Sequence, residues 1–345
     1  MRSPASRKLI ASLLGAVTAL TGSADTQPAQ DHADQGGGGG ASTAAVAPSP
    51  EPAQDRTAPV ERAPGFVRQA AAVGDDERRA VLDYWTPRRM AGATPLIPGL
   101  DDLAGGVLPD APEPQASGDA GAARPWTGGG RVAATTGKVF LTLDGRDFTC
   151  SAAVVSADNR DTVLTAGHCL KDGTGPWVEN WSFVPGYDDG ESPDGRYTAR
   201  QMFVAPEWSQ QADDSYDFGM AVLNPSDGEH VQDRVGAQPI AFGAEPDDPT
   251  YAFGYPATGR FEGRRLRYCT GDTVGDDGGT TAEGMACAMT EGSSGGPWLN
   301  DFDPETGTGT VVSVISFKYA DDSRTQYGPH LGGAAETLFE RAQSF

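Results

Sequence analysis

From Trp126 onward the chain is written in short β-branched and aromatic runs separated by Gly, Asp, Pro and Asn, and few folds accommodate that texture. Residues 138–143 followed by Asp144-Gly145 read as a strand entering a tight hairpin. Further strands are expected at 152–155, 162–165, 181–184, 196–204, 219–223, 251–254, 264–270 and 310–316. One helix stands out, at 333–344, where Ala335, Leu338, Phe339 and Ala342 share a face. The expectation is an all-β fold of one large or two small barrels over 126–345, with a C-terminal helix, and this is long enough for a substantial core.

The preceding hundred positions read differently. Residues 25–125 are dominated by Ala, Pro, Gly, Asp and Gln, include the run Gly36 to Gly40, and lack sustained apolar periodicity. Such a stretch cannot bury enough surface to offset its ordering entropy, so a largely disordered low-complexity pro-segment or linker is expected. One island, 75–90, carries Val81, Leu82, Tyr84, Trp85 and Met90 among charges and fits a short helix ending near Thr86-Pro87. Residues 1–24 place Arg2, Arg7 and Lys8 before an apolar run from Leu9 to Leu20 and end on Gly22-Ser23-Ala24, the pattern of a cleavable export signal. The run is shorter than the roughly 18 residues of a membrane span and is broken by Ser12, Gly15 and Thr18. A secreted protein with no stable membrane association after signal removal, acting as a monomer, is expected.

An exported chain with four cysteines, all beyond residue 149, is expected to pair them. There is no Cys-x-x-Cys pair, and only His168 of the four histidines neighbours a cysteine, so no metal or other cofactor is expected. A formal net charge of −22 argues against nucleic acid or an anionic membrane as partner, since both would repel the chain. The acidic stretches 188–191 and 301–305 read as solvated hairpin tips rather than calcium loops.

Two short motifs carry chemistry. Thr165-Ala166-Gly167-His168-Cys169 follows an apolar strand, so His168 would be firmly held yet able to exchange protons near neutral pH. Glu291-Gly292-Ser293-Ser294-Gly295-Gly296-Pro297 puts Ser294 on a tight turn with free backbone on both sides, where the Gly292 and Ser294 amides can converge on a developing oxyanion. A carboxylate must fix the imidazole tautomer. Among Asp213, Asp214 and Asp217, Asp217 directly precedes the apolar run 218–223 and is therefore carried by rigid structure.

In the order His168, Asp217, Ser294, these segments resemble the trypsin and chymotrypsin family of serine peptidases. Ser293-Ser294-Gly295-Gly296-Pro297-Trp298 and Phe183-Val184-Pro185-Gly186-Tyr187 are similar to its bacterial exported, glutamyl-endopeptidase-like branch. The resemblance implies two six-stranded antiparallel β-barrels, about 126–232 and 237–332, with protein or peptide substrates. It implies a Cys150–Cys169 bridge, contributing about 3 kcal/mol, which leaves Cys269 with Cys287. It also implies that Ser316 hydrogen-bonds near the carboxylate and that Ala288, Thr290, Ser316, Phe317 and Lys318 line the substrate cleft.

Two departures matter. Digestive members have an aspartate just before the nucleophile to receive a new N-terminal ammonium; here that position is Ser293, although cleavage at Arg131-Val132 would free a Val just before the first strand. The position that is aspartate in enzymes cutting after Arg or Lys is Ala288, and no histidine lies on 311–319; Lys318 reads either as a cation for an acidic side chain or, in the favoured reading, as a solvated lysine on the cleft rim. Competing readings are an α/β-hydrolase esterase, since Gly292-x-Ser294-x-Gly296 precedes Asp321, Asp322 and His330, and a catalytically silent binding protein of the same fold.

Overall fold

The computed structural model describes residues 60–97 and 121–345. The expected export signal, 1–24, lies outside them. The described chain opens with β1 (Val60–Ala63) and β2 (Phe66–Ala70), then α1 (Asp75–Tyr84), α2 (Pro87–Gly92) and a short β3 (Thr94–Pro95). After 120 come β4 (Arg124–Pro125), α3 (Gly130–Thr135), β5 (Thr136–Leu143), β6 (Arg146–Val154), β7 (Thr162–Thr165), β8 (Glu179–Pro185), β9 (Tyr197–Val204), α4 (Pro206–Gln211), β10 (Gly219–Leu223) and α5 (Val231–Val235). The remainder is β11 (Thr250–Gly254), β12 (Arg267–Gly271), β13 (Thr273–Gly275), β14 (Glu283–Ala286), β15 (Pro297–Asp303), β16 (Thr308–Val314), β17 (Phe317–Tyr319), β18 (Asp322–Gly328) and α6 (Gly333–Gln343).

Strands β5, β6, β7, β10, β9 and β8 pair antiparallel in that order, and β8 pairs in turn with β5, closing a six-stranded barrel. Strands β5 and β10 are buried at every position, and β10 reads as a continuous apolar run. The β5–β6 turn is Asp144-Gly145, both at positive φ, as a two-residue hairpin requires. The second half forms a five-stranded sheet, β16-β15-β11-β12-β4, and a four-stranded sheet, β13-β14-β18-β17. Trp126 meets Phe253, Tyr268 and Phe302 edge-on at 5.4 to 5.5 Å, each contact adding about 0.5–1.5 kcal/mol beyond burial. Helix α6 turns back onto β9 and β10, burying the face Ala335, Leu338, Phe339 and Ala342.

Residues 60–97 depart from the disordered extension expected before 126. β2 adds to the barrel sheet at β9, in the register Val67 with Val204, and β3 runs parallel to β6. Trp85, 1% exposed, donates its indole N–H to the Asn180 carbonyl at 2.6 Å and meets the Phe140 ring at 5.5 Å. Arg196 donates to the Trp85 carbonyl at 2.8 Å, and the Tyr84 hydroxyl donates to Asp147 at 2.7 Å. The strands are too short for a periodic signal, and their apolar partners, Phe203 and Phe140, are remote in sequence. The 75–90 island is helical in two pieces, broken where Thr86 caps α2 ahead of Pro87.

Candidate active site

His168 sits in a single 3₁₀ turn, Gly167–Cys169, directly after β7; Asp217 precedes β10; Ser294 lies in the turn that leads into β15. Antiparallel pairing of β7 with β10 aligns Thr165 with Gly219 and so brings His168 and Asp217 together. The carboxylate grips the histidine twice. Asp217 Oδ1 accepts from the His168 backbone amide at 2.7 Å, and Oδ2 meets Nδ1 at 2.7 Å. Ser316 Oγ donates to the same Oδ2 at 2.5 Å.

His168 and Asp217 are 1% and 2% exposed. Burial alone would raise the Asp217 carboxyl, but the charge of His168 and bonds from His168 and Ser316 hold it below the ordinary value. Asp217 is thus an anion that fixes Nδ1 as the protonated nitrogen and leaves Nε2 as the acceptor. Nε2 is buried with no hydrogen-bond partner. Asp213 instead turns its carboxylate back to cap the 3₁₀ turn at the Ser215 amide, 3.0 Å. The Trp208 ring lies 6.5 Å from the imidazole, closing it off from solvent on one side.

The Ser294 turn is locked from several directions. The Ser294 carbonyl accepts from the Ser151 amide at 2.7 Å, and the Gly295 amide donates to Ile315 at 2.7 Å. Gly295 has φ +82°, and a Cβ there would fall 2.1 Å from Thr165 Oγ1 and 2.4 Å from the Ser151 carbonyl. Among the described residues, neither the Gly292 nor the Ser294 amide donates to another group of the protein.

The disulfides are Cys150–Cys169 and Cys269–Cys287. Donor atoms of Cys150, His168 and Cys169 lie within 4.8 Å of one another, but both sulfurs are committed to the bridge, so no thiolate is available to a metal. The 188–191 stretch is a tight turn with Asp188 bridging Glu191, and Asp303 caps its own turn at Glu305 and Thr306.

The expected cleft residues divide. Ser316 bonds the Asp217 carboxylate, and Phe317 is half-buried next to it in sequence, stacked on Tyr327 at 5.1 Å. Ala288 is buried, with its amide bonded to the Gly121 carbonyl at 2.8 Å. The Lys318 ammonium donates to the Cys287 and Ser323 carbonyls at 2.6 and 2.7 Å, and burial pushes it down to about 8 against the opposing pull of Glu291 and Asp322. The Thr290 hydroxyl accepts from the Thr258 amide at 3.2 Å and donates to the Thr258 carbonyl at 3.3 Å. Two residues missed in the sequence are Ser151 and Thr258, polar residues whose partners are far away along the chain. His330 faces Glu245 at 3.5 Å, and the antiparallel barrel is not the alternating strand-helix fold an α/β-hydrolase requires.

The sequence pattern of the Trypsin family matches residues 127–331. Among solved structures, the thermostable serine protease AL20 from an extremophilic microorganism is 38% identical, covering 62% of this chain and 99% of that one, with a TM-score of 0.59. Protease Anisep from Arthrobacter nicotinovorans is 36% identical over 61% of this chain and 96% of its own, also at 0.59. A Glu endopeptidase shares the fold at 20% identity, covering 66% and 99%, with a TM-score of 0.53. The extracellular metalloprotease of Bacillus subtilis (strain 168) is 33% identical over 73 residues, so the match spans 21% of this chain and only 23% of that relative. With the matched pattern running across both halves of the fold and through the His168, Asp217 and Ser294 segments, the chain belongs to the trypsin family of serine-type peptidases.

Proposed function

We propose that the chain is a secreted serine endopeptidase that acts as a monomer on protein or peptide substrates through a Ser294–His168–Asp217 triad. The observation that carries this reading is the doubly bonded His168–Asp217 pair, which leaves Nε2 as the acceptor, with the Ser294 turn packed on the segment that leads into His168: a Cβ at Gly295 would fall 2.8 Å from the Ala166 amide nitrogen. Ser294 Oγ attacks the peptide carbonyl while Nε2 takes its proton; the Gly292 and Ser294 amides hold the oxyanion; the imidazolium then protonates the leaving amine. Water repeats the sequence on the acyl-enzyme. Asp217 holds the ring in its working tautomer and stabilises the imidazolium. Two disulfides in the folded region and the export signal read at 1–24 support an extracellular site of action.

The test is covalent labelling by a peptidyl phosphonate together with cleavage of an unfolded protein. The parent and His330→Ala are expected to label and cleave, whereas Ser294→Ala and His168→Ala do neither. Loss of labelling in His330→Ala, or a parent that neither labels nor cleaves, would overturn the assignment.

A further inference from the structure

The oxyanion loop has no aspartate at position 293. Ser293, 1% exposed, stands where an aspartate would receive an N-terminal ammonium, and its hydroxyl donates to the Thr290 carbonyl at 2.7 Å. Hydrogen bonds to the neighbouring carbonyls set the direction of the two amides instead. In a trans peptide C=O and N–H point opposite ways. The Glu291 carbonyl accepts from the Ala257 amide at 2.8 Å, which turns the Gly292 N–H away from the 257 loop. The Ser293 carbonyl accepts from the Gly296 amide at 3.0 Å, which does the same for the Ser294 N–H. Between them, the Gly292 carbonyl accepts from Ser151 Oγ at 2.9 Å, and that hydroxyl in turn accepts from the Tyr255 amide at 3.0 Å.

Each of these supports is donated by a hydroxyl or amide already in place. Thr290 grips both backbone groups of Thr258, and Thr258 Oγ1 donates to the Glu291 carboxylate at 2.5 Å. Gly292 lies so close that a Cβ would fall 2.8 Å from the Tyr255 carbonyl and 3.0 Å from Ala257 Cβ. Meanwhile Val132, whose amine cleavage at Arg131-Val132 would free, is 0% exposed and its N–H donates to the Gly307 carbonyl at 2.8 Å. The Arg131 amide donates to Thr306 at 2.9 Å, so both sides of that bond are tied to the 306–307 turn within the start of α3.

We propose that Ser151 and Thr290 are positioning residues that hold the Gly292 and Ser294 amides toward the site in the uncut chain, so that the oxyanion hole forms without an ion pair from a new N-terminus. The inference rests on Ser294 being the acylated group. A flipped 291–292 peptide would point the Glu291 carbonyl where the oxyanion must sit, and these contacts oppose that flip.

The full chain, with Arg131→Gln alongside, is treated with a peptidyl phosphonate and weighed intact. Label is expected on chains still continuous through residue 132, at the same rate in parent and Arg131→Gln. Ser151→Ala and Thr290→Val are expected to slow labelling by about 10-fold or more and to lower kcat on a peptide anilide with KM within about twofold, as loss of an oriented oxyanion donor does. Thr290→Ser, which keeps the hydroxyl, is expected to recover the parent rate, and that recovery separates positioning from a loss of folding. Label confined to chains cut after Arg131, or parent rates in both hydroxyl-deleting variants, overturns the inference. A parent that takes no label, cut or uncut, overturns the role of Ser294 itself and this inference with it.

Discussion

At the scale of single residues, the proposed chemistry turns on Asp217, a carboxylate whose burial is offset by three donors. Asp217→Asn keeps the shape but lets the ring settle in the wrong tautomer, and kcat is expected to fall by about 10³ to 10⁴, read in steady-state cleavage. Ser316→Ala removes one donor from Oδ2 and so raises the Asp217 carboxyl toward its unfolded value. For a carboxyl held low in the folded state, the stabilisation is full above the unfolded pKa and is lost as pH falls through the folded one. The stability difference between Ser316→Ala and the parent is therefore expected to be largest near neutral pH and to close as pH falls through the carboxylate range, in urea titrations at stepped pH. The proximity of His168 and Asp217 was legible because each stands beside an apolar run that becomes a paired strand, and the Ser294 turn because glycines flank it. Ser151 and Thr258 were not, since nothing local distinguishes a hydroxyl aimed at Gly292 or Glu291 from a solvated one, and Thr290 was read as a cleft residue because only the fold reveals Thr258 opposite it.

At the scale of elements, the sequence resolved strands wherever burial on both faces makes a continuous apolar run, as in β7 and β10, and wherever a turn dipeptide punctuates them, as at Asp144-Gly145. It resolved α6 to within a residue because a one-sided helix repeats its apolar positions. It was silent on β13 and β17, three residues each, and on the mostly polar β18, which owe their strand state to cross-strand partners such as Met285 and Tyr327. β1 and β2 are the same case at the other end of the chain, since Phe66 and Val67 are buried by β9 and not by anything nearby in sequence. The 60–97 segment is thus part of the first barrel's core. Trp85→Ala is expected to cost about 3–5 kcal/mol in urea unfolding, as loss of a fully buried indole does. An unchanged transition would mean that this segment is only resting on the barrel.

At the scale of the whole molecule, the distribution of titratable cations predicts an alkaline stability profile. The chain has only four lysines, so almost all its positive charge is arginine, which does not titrate below pH 12. Lys8 lies outside the described residues, and the other three, Lys138, Lys171 and Lys318, are all pushed down by burial, Lys138 and Lys318 to about 8. Lys138 is 5% exposed, donates to the Gly263 carbonyl at 2.9 Å and lies 5.0 Å from the Tyr187 ring centre. Between pH 8 and 10 the unfolded chain holds protons on Lys138 and Lys318 that the folded chain has released, so stability rises with pH across that window. For Lys138 the full effect is of order 3 kcal/mol. Above about pH 10 the sign reverses. Burial raises Tyr197 to about 12 and lifts Tyr255 and Tyr319 as well, so the unfolded chain loses phenolic protons first and folding stability declines. Urea unfolding from pH 7 to 11 is therefore expected to show a maximum near pH 10, and Lys138→Met is expected to flatten the rising limb while leaving the falling one. A monotonic decline from pH 8 in the parent would show that Lys138 keeps its proton in the folded state.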